Sequence, residues 1–220
     1  MKTVSVLTAW YEHPELIADY ENVVNSADEV IIVDNASSLP VALQLQSMCS
    51  RLGSRAKYVR SDTNQGYARA INSVLPLACG DIIVCLNNDV RGAWEFVDRV
   101  RADVPENAFC GVHTSFHFVD GAQIPYIDGW CTAAYRDVWK QVNGYDTDTY
   151  IFAYYEDADL SFRAVLAGAE LRTFDWPIEH VNGGNTTSKG MSAIAYQHSA
   201  DNRAKFFQRV RETMRQGVTA

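Results

Sequence analysis

The sequence predicts an α/β fold: a Rossmann-like, mostly parallel central sheet flanked by helices, with a smaller mixed portion after it. Three observations predict it. Strand-like runs and amphipathic stretches alternate through the first ~100 residues, the pattern of parallel strands joined by helical crossovers. The run Ile82-Ile83-Val84-Cys85-Leu86 is apolar without interruption, as in a parallel strand covered on both faces. Beyond the helix read at Trp94–Val104 the alternation gives way to a hairpin, short helices and loops.

Val4 to Leu7 opens a first strand, followed by the polar and aromatic loop Thr8-Ala9-Trp10-Tyr11-Glu12-His13. Pro14 suits the first position of a helix, and Leu16, Tyr20, Val23 and Val24 give that helix one apolar face. Glu29 to Val33 is the second strand, ending in Asp34-Asn35-Ala36-Ser37-Ser38. Val41, Leu45, Met48 and Leu52 recur at helical spacing before Gly53. Lys57 to Arg60 is a short third strand; Asn64-Gln65-Gly66 leads into a helix carrying Ala68, Ile71 and Leu75. The Ile82–Leu86 strand comes fourth.

In the second half, Phe116 to Ile124 reads as a hairpin turning at Asp120-Gly121. A short helix through Val138, Trp139 and Val142 closes at Asn143-Gly144, and another begins near Glu156. Glu170 to Trp176 returns as a strand. Residues 182–190, rich in Gly, Asn, Thr and Ser, read as a mobile loop, and Phe206, Phe207, Val210 and Met214 mark an amphipathic terminal helix.

Composition narrows the function. With 47% hydrophobic and 21% charged residues the chain has the makeup of a globular protein with a full core. A net charge of −8 argues against a phosphate-tracking, nucleic-acid-binding surface. No apolar stretch has the length of a membrane span, and Met1-Lys2-Thr3-Val4-Ser5 turns polar too early for a signal peptide. The five cysteines form no CxxC pair and read as reduced core residues of a cytosolic protein.

Chemistry is expected at the carboxyl ends of the strands, where open α/β sheets bind ligands. If the chain winds outward through strands two and three and then crosses back beyond strand one, a crevice opens between strands one and four. Thr8 and Asp89 would then face each other. Asn87, Asn88 and Asp89 read either as site residues or as the start of a loop, and Asp34 either as a nucleoside contact or as a turn residue. No Gly-rich phosphate loop follows an early strand, so a bound nucleotide would need a divalent cation on its phosphates. Asp89 is the carboxylate candidate for that ion and His180 the imidazole candidate, with a purely structural histidine as the alternative. In Glu156-Asp157-Ala158-Asp159, helix capping accounts for one carboxylate, leaving others for general-base work. Trp10, Tyr126, Trp130 and Tyr154 are candidate stacking surfaces for sugar faces.

Six segments, in order, resemble the large inverting glycosyltransferase family with the GT-A fold, in a flavour often described as rhamnosyltransferase-like. They are Val33–Ser37, Asn64–Asn72, Leu86–Asp89, Asn143–Asp146, Tyr155–Arg163 and Ile178–Gly184. The resemblance implies a single GT-A domain over 1–220, with a nucleotide-binding half at 1–104 and an acceptor-binding and catalytic-base half at 105–220. It implies that Thr8, Asp34, Asn64, Gly66 and Arg69 hold the nucleoside of a UDP- or dTDP-sugar donor, with Asn87 and Asn88 also on the cofactor side. Asp89 and His180 would hold Mn²⁺ or Mg²⁺ at the diphosphate. Asp128, Gly129 and Trp130 would meet donor sugar and acceptor, and Asp157, beside Glu156, would be the base toward a carbohydrate or other hydroxyl-bearing acceptor. Asn87 departs from the family's Asp-x-Asp metal motif by one charge. Peripheral contact with a membrane would come only through the acceptor. A sugar-nucleotide pyrophosphorylase, which needs a basic Gly-rich loop after strand one, and a degenerate binding module are the rival readings.

Overall fold

The computed structural model describes residues 1–181 and 191–217, with the backbone alone over 191–196. The loop read at 182–190 lies outside the described residues.

A seven-stranded sheet organises the chain, in the order β10-β6-β9-β4-β1-β2-β3. Its strands are β1 (Val4–Trp10), β2 (Glu29–Asp34), β3 (Ala56–Arg60), β4 (Ile82–Leu86), β6 (Ala108–Gly111), β9 (Cys131–Tyr135) and β10 (Glu170–Thr173). The first four run parallel. Order reverses between β1 and β4, as the sequence predicted. The surprise is β9, which lies antiparallel to both β4 and β6 and fills the gap between them.

Alternation along β1 sends Val4 and Val6 to one core layer and Leu7 and Ala9 to the other. The first layer packs under α1 (Ile17–Val23), α2 (Leu39–Leu52) and α4 (Phe96–Asp103). The second packs under α3 (Tyr67–Val74), α5 (Arg136–Val142) and α6 (Glu156–Leu166). Both faces are covered, which is why β1 and β4 are buried at every residue. Each fully buried Val, Leu or Ile contributes about 1.5–3 kcal/mol relative to exposure.

Three smaller pieces bring distant residues to the strand ends. β5 (Val90–Gly92) pairs antiparallel with β11 (Ile178–His180), setting His180 opposite Val90. The hairpin β7 (Thr114–Val119) and β8 (Ala122–Ile127) turns at Asp120 and Gly121, with φ of 51° and 88°. Two consecutive positive φ values are what a two-residue hairpin turn demands. Finally α7 (Met191–Arg215) lays Phe206 and Val210 against α6 and the hairpin. No helix among the described residues is long and apolar enough to cross a membrane.

A buried ion-pair node fastens α7 to α6. Asp159 is wholly buried; it accepts from Arg163 Nε at 2.6 Å, from the Tyr150 hydroxyl at 3.1 Å and from Arg209 of α7. Arg209 also donates to Asp146 at 2.7 Å. Burying one carboxylate between two guanidiniums leaves uncompensated charge if the carboxylate is lost. Asp159→Asn is therefore expected to lower unfolding stability by about 3 kcal/mol, read by urea titration; a loss below experimental error would mean that packing alone holds α7.

Candidate active site

At the end of β4 the chain turns through Asn87, Asn88 and Asp89. The Asn87 amide donates to the Trp130 carbonyl at 2.8 Å, which ties the turn to the loop before β9. Asp89 is buried, and its Oδ1 lies 3.0 Å from His180 Nε2. The Asn87 side-chain nitrogen lies 3.3 Å from the same ring nitrogen. Trp130 stacks flat on the imidazole, centroids 5.2 Å apart and planes within 7°. The pairing of β5 with β11 is what brings Asp89 and His180 together across 91 residues of chain.

The pair fits a hard divalent cation in one respect. Adjacent ligands at about 2.1 Å from an octahedral ion stand about 3 Å apart, the separation seen here. Among the described residues no group of three or more His, Cys, Asp and Glu side chains forms a metal cluster. Asp89 and His180 would thus hold an ion that keeps its other positions for water and phosphate oxygens, the usual habit of Mg²⁺.

The second centre lies at the start of α6. Asp157 Oδ2 accepts the Gly129 amide at 3.1 Å, and Oδ1 accepts the Ala158 amide at 2.8 Å. A Cβ on Gly129 would stand 2.9 Å from Asp157 Cβ, so only glycine lets the carboxylate lie on this backbone. Burial, opposed by those two amides, pushes the Asp157 carboxyl above the ordinary range, and the charge of Asp128 adds to the rise. Burial and then the charge of Asp157 push the Glu156 carboxyl up further. Glu156 and Asp157 therefore form one coupled pair. Asp159, three residues from Glu156, is spent on the arginine node. The Asp128-Gly129-Trp130 turn joins the two centres: Gly129 holds Asp157, and the next residue stacks on His180.

The approach to α6 is strained. Phe152, Tyr154 and Tyr155 all have φ near +70°, rare for aromatic residues. Asn202 of α7 holds this turn, donating to the carbonyls of Ile151, Ala153 and Tyr154 at 3.1–3.2 Å. Nothing in the sequence around Asn202 announces that role.

Two expected nucleoside contacts need correction. Thr8 is inside β1, which runs on to Trp10, and is wholly buried with its hydroxyl bonded to Tyr20. It cannot face Asp89 across the crevice. Asp34 is also wholly buried: Ser37 N donates to Oδ1 at 2.8 Å, and the Tyr58 hydroxyl and Arg60 donate to Oδ2. Three donors thus hold it in the turn role, and the exposed Arg60 is its ion-pair partner at that strand end. Trp10, a candidate sugar platform, is core as well, edge-on to Tyr20.

The other expected contacts form the rim beside β2. Asn64 accepts from Asn35 Nδ2 and the Gly66 amide, both at 2.9 Å. Gly66 has φ of 78°, and a Cβ there would meet the Phe152 carbonyl oxygen at 2.9 Å. Arg69 is exposed and donates to the Thr147 carbonyl at 3.1 Å. Asn88 is buried, while Asp128 and Gly129 are half-exposed.

The sheet order, with its reversal between β1 and β4, together with the corner built at that reversal, defines an α/β protein of the GT-A type. Residues 6–109 match the family described as Glycosyl transferase family 2, in agreement with the resemblance read from the sequence. No curated protein matches the chain in sequence. Solved structures show the fold. The mannosyltransferase PcManGT from Pyrobaculum calidifontis, in complex with GDP-Man and Mn²⁺, is 17% identical with a TM-score of 0.71, covering 94% of this chain and 64% of its own. GalNAc-T7 with UDP, GalNAc and Mn²⁺ is 13% identical, with a TM-score of 0.68 over 86% of this chain and 45% of its own. TarS of S. aureus is 17% identical, with a TM-score of 0.61 over 80% and 36%. The chain thus spans less than two thirds of the length of each of these structures.

Because Gly129 and Asp157 share one space, Gly129→Ala is expected to lower stability by about 1–3 kcal/mol through overpacking, measured by urea unfolding. An unchanged midpoint would show that Asp157 moves aside freely.

Proposed function

We propose that the chain is an inverting glycosyltransferase that moves a hexose from a UDP- or dTDP-sugar to a hydroxyl acceptor. The observation that carries this reading is the 128–130 turn. Through the Gly129 amide it sets a half-buried carboxylate, Asp157, next to an aspartate–histidine pair suited to a metal-bound diphosphate. The family match over the first half and the nucleotide-sugar and Mn²⁺ named for two fold neighbours support it.

In this reading 1–220 acts as one GT-A unit, with residues 1–104 on the nucleotide side and 105–220 on the acceptor side. Asn64, Gly66 and Arg69 line the nucleoside rim, and Asn87 and Asn88 flank the diphosphate corner. Asp89 and His180 hold Mn²⁺ or Mg²⁺, which when bound neutralises charge on the departing diphosphate. Asp128, Gly129 and Trp130 lie between donor sugar and acceptor. Asp157 takes the acceptor hydroxyl proton as the acceptor oxygen bonds the anomeric carbon and the bond to the diphosphate breaks. A carboxyl raised toward neutrality by burial is a better match for that work than an ordinary one.

Asp157→Asn is expected to cut transfer by about 10²–10⁴-fold while a nucleotide-sugar still stabilises the variant in thermal shift. Transfer at the wild-type rate would remove Asp157 from the role. Wild-type protein that binds a donor yet neither transfers nor hydrolyses it across a broad panel would favour the degenerate binding module, which Asn87 encourages. Thorough chelation with EDTA is expected to abolish transfer, and Mn²⁺ to restore it. Full activity after chelation would sink the metal role of Asp89 and His180.

A further inference from the structure

A cavity of about 620 Å³ opens between β7 and α7, beside the start of α6. Its walls are aromatic. Phe116 and Phe118 of β7 are 48% and 67% exposed, and Tyr155 and Phe207 line it half-buried. His117 is clamped between Tyr126 and Tyr155, with ring centroids 4.8 and 4.7 Å away and planes within 13° and 23°. Burial and the charge of Arg203 hold its imidazole below the ordinary range, so it serves as a neutral wall. Ser199 and Ala200, one turn of α7 before Arg203, carry too little side chain to fill the space.

Packing does not account for this opening. The hairpin is held by its other residues, with Val119 and Ile124 buried in the core it shares with α6 and α7, and Phe116 and Phe118 stand outside that core. Several apolar rings around one opening make a contiguous patch, the mark of a binding surface rather than of scattered exposure. Arg203 lies over the Phe207 ring, 4.9 Å from its centroid. The next arginines of α7 are committed, Arg209 to Asp146 and Asp159 and Arg211 to Asp120. Arg203 is exposed and has no such carboxylate among the described residues. A guanidinium packed against a ring still has its N–H donors, and two of them match the two oxygens of a carboxylate or phosphate.

Resting on the transferase reading above, we propose that this cavity is the acceptor subsite and takes an anionic glycan, a sugar ring bearing a carboxylate or phosphate. The apolar face of the ring stacks on the aromatic walls, and the acidic group pairs with Arg203. Chain connections join the cavity to the base. Tyr155, in its wall, precedes Asp157 by two residues. Tyr126, behind His117, lies on the strand that leads into the 128–130 turn, whose Gly129 donates to Asp157. Charge then sets the direction of binding. The acid is held at Arg203, and the neutral part of the glycan is turned toward the corner of Asp128, Glu156 and Asp157, where a second anion would be repelled.

The test is an array of neutral, uronic-acid and phosphorylated oligosaccharides, probed with wild-type protein and with Arg203→Gln. The Arg203 side chain is exposed and makes no hydrogen bond among the described residues, so its loss leaves the fold in place. Wild type is expected to retain acidic glycans over their neutral counterparts, and Arg203→Gln to bind them about tenfold more weakly or worse. The carboxylate and phosphate arms show which acid is preferred, and selection of either supports the proposal. Equal binding of neutral and acidic glycans, no glycan bound at all, or an acidic preference that survives in Arg203→Gln overturns it. So does release of the bound glycan by an equimolar amount of inorganic phosphate, which would mark a bare anion site. The two readings fail separately. Binding of acidic glycans through Arg203 without transfer or hydrolysis of any donor sinks the transferase reading and leaves the glycan specificity standing. Transfer to neutral glycans alone sinks the cavity proposal and leaves the transferase reading standing.

Discussion

A carboxylate drawn partly out of water needs donors, and the grip on Asp157 is the constraint from which the rest of the site can be read. Its two amides come from different places: Ala158 from the helix that carries Asp157, and Gly129 from a turn twenty-eight residues earlier. Neither segment is positioned by itself. The turn is pinned because Asn87 donates to the Trp130 carbonyl, and the helix start is pinned because Asn202 holds three carbonyls of the turn before it. The cost of three aromatic residues at positive φ is of order 1–3 kcal/mol each, sustained by that clamp and by the arginine node. Electrostatics then follows from placement: two amides favour ionisation, burial opposes it more strongly, and the balance leaves the carboxyl raised.

Where the parts of such a site are far apart in sequence, the sheet does the gathering. Parallel order places the ends of β1, β2 and β4 on one edge. The antiparallel insertion of β9 next to β4 delivers the 128–130 turn to that edge, and the small β5–β11 ladder delivers His180. A single ring stack, Trp130 on His180, is the shared wall of the two centres.

Much of this was legible beforehand, for physical reasons. Unbroken apolar runs announce strands buried on both faces, so β1, β2 and β4 and their reversal were readable. Asp120-Gly121 announced its hairpin by the left-handed backbone that such turns require. The strand β9 was not readable: Cys-Thr-Ala-Ala-Tyr is short and poor in β-branched residues, and only its place between β4 and β6 makes it a strand. Thr8 and Asp34 were misplaced because a polar residue near a strand end looks the same whether it faces a ligand or the core. Only its partners, Tyr20 for Thr8 and Ser37, Tyr58 and Arg60 for Asp34, tell the two apart. The acidic run at 156–159 shows the same limit from the other side. Its excess over capping was visible, but which member was structural depended on Arg209, fifty residues on.

That division of labour bears on how the carboxylate cluster functions as a whole. Asp159 is neutralised by two arginines, so its charge adds little to the field at the helix start. Among the described residues Glu156 and Asp157 have no such cation, and burial holds both carboxyls above the ordinary range, with the charge of Asp157 adding to the rise at Glu156. The fold therefore separates a carboxylate that two arginines hold, and that fastens the helix, from a pair that sits at the helix start beside the 128–130 turn.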